Sequence, residues 1–169
     1  NIAVKGNFDD CQNLVKSMFS DKEFSNQINM SGVNSINWAR IIAQSVYYFY
    51  CYFLVEDHKQ PINFSVPTGN FGDVYAGYLA KKLGLPINKL IVATNQNDIL
   101  HRAISEGKYE ATHVSETISP SMDIQIASNF ERLIYDLNDH DSSQTLDDMK
   151  NIKQNGQYVI NNEKLKKIH

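Results

Sequence analysis

The residues best suited to chemistry form one short segment that contains two glycines. Its members are Thr68, Gly69, Asn70, Phe71, Gly72 and Asp73. The segment joins a predicted strand, Ile62 to Val66, to a helical pattern. Glycines let backbone N–H groups approach a phosphate, and a helix N-terminus adds unsatisfied donors. The segment therefore predicts an anion site, with side-chain donors from Thr68 and Asn70, although a plain strand-to-helix turn fits the same spacing about as well.

A second cluster runs from Gly32 to Arg40, at the start of a predicted long helix. Asn34 or Ser35 is a natural helix cap. Arg40 follows Ser35 by somewhat more than one helical turn, so its guanidinium would reach back towards a ligand at the helix N-terminus. A second anion site is one interpretation. A capped helix with a solvated or paired arginine is the other, and the local pattern alone favours it.

Two further polar segments have weaker functional patterns. Ser119 to Asp123 combines a turn with a helix start, which is typical of a cap. Ala93 to Asp98 follows a predicted parallel strand, at the place where open α/β sheets bind ligands. For this segment, too, we expect a turn-forming role.

Composition excludes several classes of function. The 169 residues are 42% apolar and 21% charged, as in an ordinary globular domain. A net charge of -3 offers no broad basic surface for nucleic acid. The apolar run Val46 to Val55 is far shorter than the roughly 20 residues of a membrane span. Two isolated cysteines, Cys11 and Cys51, favour a reducing compartment such as the cytoplasm, and five scattered histidines predict no metal site.

The order of elements predicts an α/β fold, with a mostly parallel sheet and flanking helices. Apolar spacing indicates helices around Cys11 to Met18, from about Asn34 to Glu56, and from the glycine segment to Gly84. We expect the second of these helices to be buried nearly all round. The remaining expectations concern shorter segments. They are strands at Ile2 to Val4, Gln27 to Met30 and Leu90 to Thr94, and helices at Asn97 to Ile104, Ile126 to Leu137 and Ser142 to Lys153.

Four ordered motifs carry a family resemblance. They are GNFDDCQ, NSINWARIIAQ, VPTGNFGDVYAGYLAKKLGLPINKLIVATNQNDIL and SPSMDI. In this order they resemble threonine synthases of the bacterial and fungal type. The resemblance is clear from Asn1 to about Ile126 and weakens towards His169.

The resemblance implies fold type II among pyridoxal 5'-phosphate (PLP) enzymes, the tryptophan synthase β-like fold. It implies that residues 1–140 are part of the PLP-binding α/β core and that 141–169 are a helical C-terminal extension. The segment 68–73 would hold the phosphate of PLP. Asn34, Ser35 and Arg40 would hold the phosphate of the substrate, O-phospho-L-homoserine, which the enzyme converts with water to L-threonine and phosphate.

One feature of the family is absent from the sequence. The Schiff-base lysine lies in a motif resembling Ser-Phe-Lys-Asp, upstream of the residues present here, and no lysine of this chain matches it. We therefore expect an internal fragment without catalytic residues, inactive alone, that lacks the N- and C-terminal parts of its enzyme. A non-enzymatic phosphate-binding α/β module, or another fold type II enzyme such as a serine or threonine dehydratase, are the alternatives.

Overall fold

The computed structural model describes residues 2–6, 8–32, 36–55 and 60–169. Within these ranges the chain alternates helices with short strands. The helices are α1 (Phe8–Ser20), α2 (Lys22–Gln27), α3 (Trp38–Leu54), α4 (Gly72–Lys82), α5 (Ile99–Glu106), α6 (Phe130–Leu137), α7 (Ser142–Asn155) and α8 (Asn162–Ile168). The strands are β1 (Ile62–Pro67), β2 (Ile87–Ala93), β3 (Lys108–Glu110) and β4 (Gln157–Val159).

The unit β1–α4–β2 is the centre of the fold. Strands β1 and β2 pair in parallel, with Phe64 opposite Leu90 and Pro67 opposite Ala93. Parallel neighbours require a crossover connection, and α4 supplies it. Helix α4 lies close to α3 because Gly77 has no side chain, since a Cβ there would stand 2.5 Å from Cε1 of Tyr48. The predicted strand, helix, strand order is confirmed in this part of the chain.

Helix α3 differs from its prediction. Only one stripe is buried, which consists of Ile41, Ser45, Tyr48 and Tyr52. The opposite face remains open, and Val46 is 60% exposed. The prediction of a helix buried nearly all round is therefore wrong for the described residues, because α4 and the sheet cover only one of its sides. The predicted ends at Asn34 and Glu56 lie outside the described residues.

Three smaller predictions also fail. Ile2 to Val4 forms no strand. The segment predicted as a strand near Gln27 instead ends α2, whose N-cap Asp21 accepts a hydrogen bond from the amide of Phe24 at 3.0 Å. The helix predicted from Ile126 begins only at Phe130, and Ile126 itself is 43% exposed. Short polar stretches carry weak periodicity, and local capping decided the conformation of α2.

The C-terminal part packs through an antiparallel pair of strands that are distant in the chain, which the sequence did not predict. Strand β4 pairs antiparallel with β3, which sets Tyr158 opposite Tyr109. The ring of Tyr109 stacks on Phe130 at 4.7 Å, and Phe71 meets the same ring edge-on at 5.4 Å. These aromatic contacts connect β3 and α6 to the glycine segment. The division of the chain at residue 140 stays a prediction.

Candidate phosphate-binding site

The glycine segment 68–73 lies directly between β1 and α4. The amide of Thr68 donates to the carbonyl of Ala93 at 3.0 Å, which ties the ends of the two parallel strands together. The Thr68 hydroxyl donates to Oδ1 of Asp73, and the same oxygen accepts the amide of Val74 at 2.8 Å. The two ends of the segment are thus joined by side-chain hydrogen bonds. The single hydroxyl proton of Thr68 is donated to Asp73 in this structure, and its role as a donor to an anion stays a prediction.

Phe71 gives the segment its sharp turn. This residue is the N-cap of α4 and has a left-handed backbone with φ of 67°. A left-handed conformation is strained for a residue with a bulky side chain. Burial of the ring offsets the strain, since Phe71 is only 6% exposed and contacts Phe130. The sequence predicts glycine freedom at this bend, but the positive φ falls on the phenylalanine between the glycines.

The backbone amides of the bend have no partner among the described residues. None of the N–H groups of Gly69, Asn70, Phe71, Gly72 and Asp73 donates a hydrogen bond within the described part of the chain. The N-cap Phe71 also provides no side-chain acceptor. Unsatisfied amides at the start of an 11-residue helix are the arrangement that binds a phosphate. The bend therefore fits the phosphate group that the resemblance assigns to it.

A second segment, residues 117–129, forms the wall behind the bend. A Cβ on Gly69 would lie 3.1 Å from Cα of Met122 and 3.0 Å from Cδ1 of Ile124. Glycine at 69 is therefore favoured by the close approach of another backbone rather than by its own φ. The wall is absent from the sequence-based site, because it is reached only through the fold.

The same wall holds Asn70 at two points. The amide of Ser128 donates to Oδ1 of Asn70 at 3.3 Å. Asn129, which is 1% exposed, donates its amide and its Nδ2 to the Asn70 carbonyl at 3.1 and 3.2 Å. All three bonds use acceptors of Asn70, so its amide N–H stays available. Ser128 and Asn129 were not singled out from the sequence, where no spacing relates them to Asn70.

Helix α3 anchors the first turn of α4 from the other side. The hydroxyl of Tyr48 donates to the carbonyl of Asp73 at 2.7 Å. Burial, together with the nearby carboxylate of Asp73, raises the pKa of Tyr48, so the hydroxyl keeps its proton at neutral pH. The bend is thereby fixed to β2, α3 and the wall at once.

The structure places the predicted substrate-phosphate residues only in part. Asn34 and Ser35 lie outside the described residues. Arg40 lies in the first turn of α3, and its side chain is exposed. The N-cap of α3 is Asn37, whose Oδ1 accepts the amide of Ala39 at 3.0 Å, and not Asn34 or Ser35. The three residues remain a prediction as a substrate site.

A cluster of polar side chains surrounds the carboxylate of Asp136, and the sequence did not predict it. Asp136 accepts hydrogen bonds from Tyr75 at 2.8 Å, Lys82 at 3.0 Å and the His140 ring at 2.9 Å. Burial alone would raise the pKa of Asp136, but these bonds outweigh burial and lower the pKa. The cluster borders a groove of about 830 Å³, which Asn129 also lines. None of the residues 68–73 lines this groove, so it is distinct from the bend.

The described residues contain neither a candidate metal-binding group nor a candidate membrane-spanning helix. No group of three or more His, Cys, Asp and Glu side chains in ranges 2–6, 8–32, 36–55 and 60–169 is arranged to hold a metal ion. Within the same ranges, every helix is too short or too polar to cross a membrane.

Comparison with known proteins identifies the relatives of the chain. No family model matches it. The threonine synthase of Pseudomonas aeruginosa is 48% identical over 97% of this chain, and that of Saccharomyces cerevisiae is 56% identical over 79%. The chain is homologous to one segment of the threonine synthases. It spans 35% and 27% of these two relatives, so about a third or less of each.

Solved structures agree with the sequence comparison. A PLP-bound threonine synthase from Brucella melitensis superposes with a TM-score of 0.86 at 52% identity, over 98% of this chain and 36% of that one. The yeast threonine synthase gives a TM-score of 0.82 at 44% identity, over 99% of this chain and 35% of that one. The predicted resemblance and the predicted α/β fold of the type II class are both confirmed.

Proposed function

We propose that the chain is the part of a threonine synthase that binds the phosphate of PLP. The full-length synthase would convert O-phospho-L-homoserine and water to L-threonine and phosphate. The observation that carries the proposal is the set of unpartnered amides from Gly69 to Asp73 at the N-terminus of α4. The 48% identity to a threonine synthase over nearly the whole chain supports it.

The residues of the bend act on the phosphate through their backbone. The amides of Gly69, Asn70, Phe71 and Gly72 supply donors, and the dipole of α4 favours the negative charge. The side chains hold this backbone in place, since Thr68 bonds to Asp73 and Tyr48 bonds to the carbonyl of Asp73. When PLP is bound, its pyridine ring supplies an electron sink for the bond changes in the amino-acid substrate.

The substrate phosphate would be bound at the start of α3 by Asn34, Ser35 and Arg40. An arginine there matches a phosphate in charge and in hydrogen-bond geometry. A reaction that releases phosphate while PLP stays bound needs two separate phosphate sites. In this proposal the bend and the α3 N-terminus are those two sites, on different elements.

The remaining parts of the active site lie outside residues 1–169 in this proposal. They include the Schiff-base lysine and the contact to the pyridine nitrogen. The isolated chain would therefore be inactive, and the N- and C-terminal parts of the same enzyme would complete it. We also propose a cytoplasmic location, which the two free cysteines, Cys11 and Cys51, support.

The proposal is tested on the full-length synthase by comparing PLP with pyridoxal, which lacks the phosphate. We expect PLP to bind at least about 100-fold more tightly, because the amides of the bend contact only the phosphate. Purified enzyme should also release phosphate from O-phospho-L-homoserine. Equal affinity for PLP and pyridoxal, or no release of phosphate, would contradict the proposal.

The substrate site is tested by Arg40→Ala in the same protein. We expect the KM for O-phospho-L-homoserine to rise about tenfold or more, since a charge-assisted pair is lost, while PLP affinity stays unchanged. An unchanged KM would remove Arg40 from the substrate site.

A further inference from the structure

A network of polar side chains lies next to the bend, centred on Asp123. Its Oδ1 accepts hydrogen bonds from the Thr117 hydroxyl at 2.7 Å, from Nδ2 of Asn95 at 2.7 Å and from Nδ2 of Asn97 at 3.1 Å. Its Oδ2 accepts the amide of Thr117 at 2.8 Å. One carboxylate thus joins the loop after β2 to the start of the wall segment 117–129.

The network fixes a 3-10 turn that touches the phosphate-binding bend. The turn spans Pro120–Met122, and the amide of Met122 donates to the carbonyl of Ser119 at 2.8 Å. Asp123 follows this turn directly. The backbone of Met122 approaches Gly69 so closely that a Cβ on Gly69 would lie 3.1 Å from its Cα. Any shift of Asp123 therefore moves the surface on which Gly69 rests.

We infer that Asp123 is a positioning residue for the phosphate of PLP, acting through the turn Pro120–Met122 and Gly69. The inference rests on the proposed function, because it assumes that the bend binds that phosphate. Asp123 itself need not contact the cofactor. Its carboxylate holds the turn in the place where Gly69 packs, and so keeps the amides of the bend in the geometry that a phosphate requires.

The chemistry of the network explains why an aspartate is needed there. Four donors converge on the two oxygens of Asp123. An asparagine in its place replaces one acceptor oxygen by an NH₂ donor. In one orientation that NH₂ group opposes the amide of Thr117, and in the other it opposes the donors from Asn95, Asn97 and the Thr117 hydroxyl. Either way at least one donor loses its acceptor, so the turn must shift.

The test compares Asp123→Asn with the native residue in the full-length synthase. Affinity is measured for PLP and, separately, for pyridoxal. We expect affinity for PLP to fall about tenfold, because one or more hydrogen bonds are lost and the amides are misplaced. Affinity for pyridoxal should not change. The ³¹P resonance of bound PLP should shift, which a purely structural role of Asp123 would not produce.

Two further variants make the outcome of this test specific to Asp123. Asp147→Asn is the control, because Asp147 is 77% exposed and pairs only with Lys150 at 3.2 Å among the described residues. It should leave the affinity for PLP unchanged. Asn95→Ala is a second variant that removes one donor to Asp123, together with the bonds of Asn95 to Thr117, Ser119 and Asn97, and keeps both bonds from Thr117 to Asp123. It should lower the affinity for PLP about threefold.

The outcomes separate this inference from the proposed function. If both variants bind PLP as tightly as the native protein, or if PLP and pyridoxal affinities fall equally, the positioning role of Asp123 is wrong while the phosphate site stands. If the native protein itself does not prefer PLP over pyridoxal, the proposed function and this inference fail together.

Discussion

Two loops of the molecule occupy equivalent positions and differ in how their polar side chains are used. Residues 68–73 follow β1 and residues 94–98 follow β2, and Pro67 and Ala93 lie side by side at the ends of these parallel strands. In the first loop, five consecutive amides have no partner among the described residues. In the second, Asn95 and Asn97 are bound into the network of Asp123.

The two loops show that equivalent strand ends of one sheet can use their polar side chains in different ways. Asparagine side chains satisfy nearby groups, and in the second loop the amide of Asn97 donates to Oδ1 of Asn95 at 2.9 Å. Among the amides of 94–98 only that of Asn97 has a partner in the described residues, so the two loops differ in their side chains rather than in the number of free amides. The second loop instead supports the first, because its network holds the wall behind Gly69.

Gly69→Ala is the most direct test of the difference between the two loops. The new Cβ would lie 3.1 Å from Cα of Met122, which is backbone and moves only with the whole turn. Relief of this contact displaces either the turn or the bend, so we expect affinity for PLP to fall about tenfold or more. Titration of the full-length synthase with PLP measures it. Gln96→Ala, an exposed change in the second loop, is the control, and equal affinities in both variants would contradict the account.

Asn97→Ala tests the structural role of the second loop. Asn97 is 4% exposed, accepts the amide of Ser115 at 2.8 Å and donates to the carbonyl of Ser115 at 2.8 Å. Loss of these bonds in a buried site should lower the free energy of unfolding by about 2 kcal/mol. Urea unfolding of the full-length synthase gives the value. A loss below about 0.5 kcal/mol would mean that the network is dispensable.

A smaller effect is expected from the first residue of each loop. Thr68→Val removes the hydroxyl that bonds to Asp73, and Thr68 is only 2% exposed. We expect a loss of about 1 kcal/mol in unfolding free energy and a modest loss of PLP affinity. Thr94→Val is the matched change after β2, where no hydrogen bond of the Thr94 side chain is seen among the described residues. It should change stability by less than about 0.5 kcal/mol. Equal losses in the two variants would remove the distinction between the loops.

The smallest expected effect is on the pH dependence of the unfolding free energy. The hydrogen bond from the Thr117 hydroxyl, aided by the Thr117 amide and Asn95, lowers the pKa of Asp123 below 3.8, although burial acts in the opposite direction. A carboxylate with a lowered pKa stabilises the fold above its unfolded pKa, and the contribution is lost as the pH falls through its folded pKa. The unfolding free energy of Asp123→Asn should therefore approach that of the native protein as the pH falls below 3.8. Unfolding free energies at pH 3 to 6 measure this, and a constant difference would contradict the assignment.

Much of the bend 68–73 was predictable from local sequence. Strand β1, the glycines and the start of α4 are contiguous, so their residue types and spacing were sufficient. The wall was not predictable, because Ser128 meets Asn70 across 58 residues and Asp123 meets Asn95 across 28. Such contacts depend on the fold and leave no periodic pattern.

Helix α3 illustrates a second limit. Its composition is apolar nearly all round, which predicts complete burial, yet Val46 and Phe53 are 60% and 64% exposed. Composition indicates which surfaces can be buried but does not name the element that covers them.

The central claim is that free amides at the bend bind the phosphate of PLP, and hydrogen exchange measures those amides directly. Exchange in the full-length synthase is followed by mass spectrometry without ligand, with pyridoxal and with PLP. We expect the amides of Gly69 to Asp73 to exchange rapidly without ligand and with pyridoxal, and slowly with PLP, while those of 94–98 stay unchanged between pyridoxal and PLP. Slow exchange of 69–73 in the absence of ligand, or the same rate with pyridoxal and with PLP, would contradict the account.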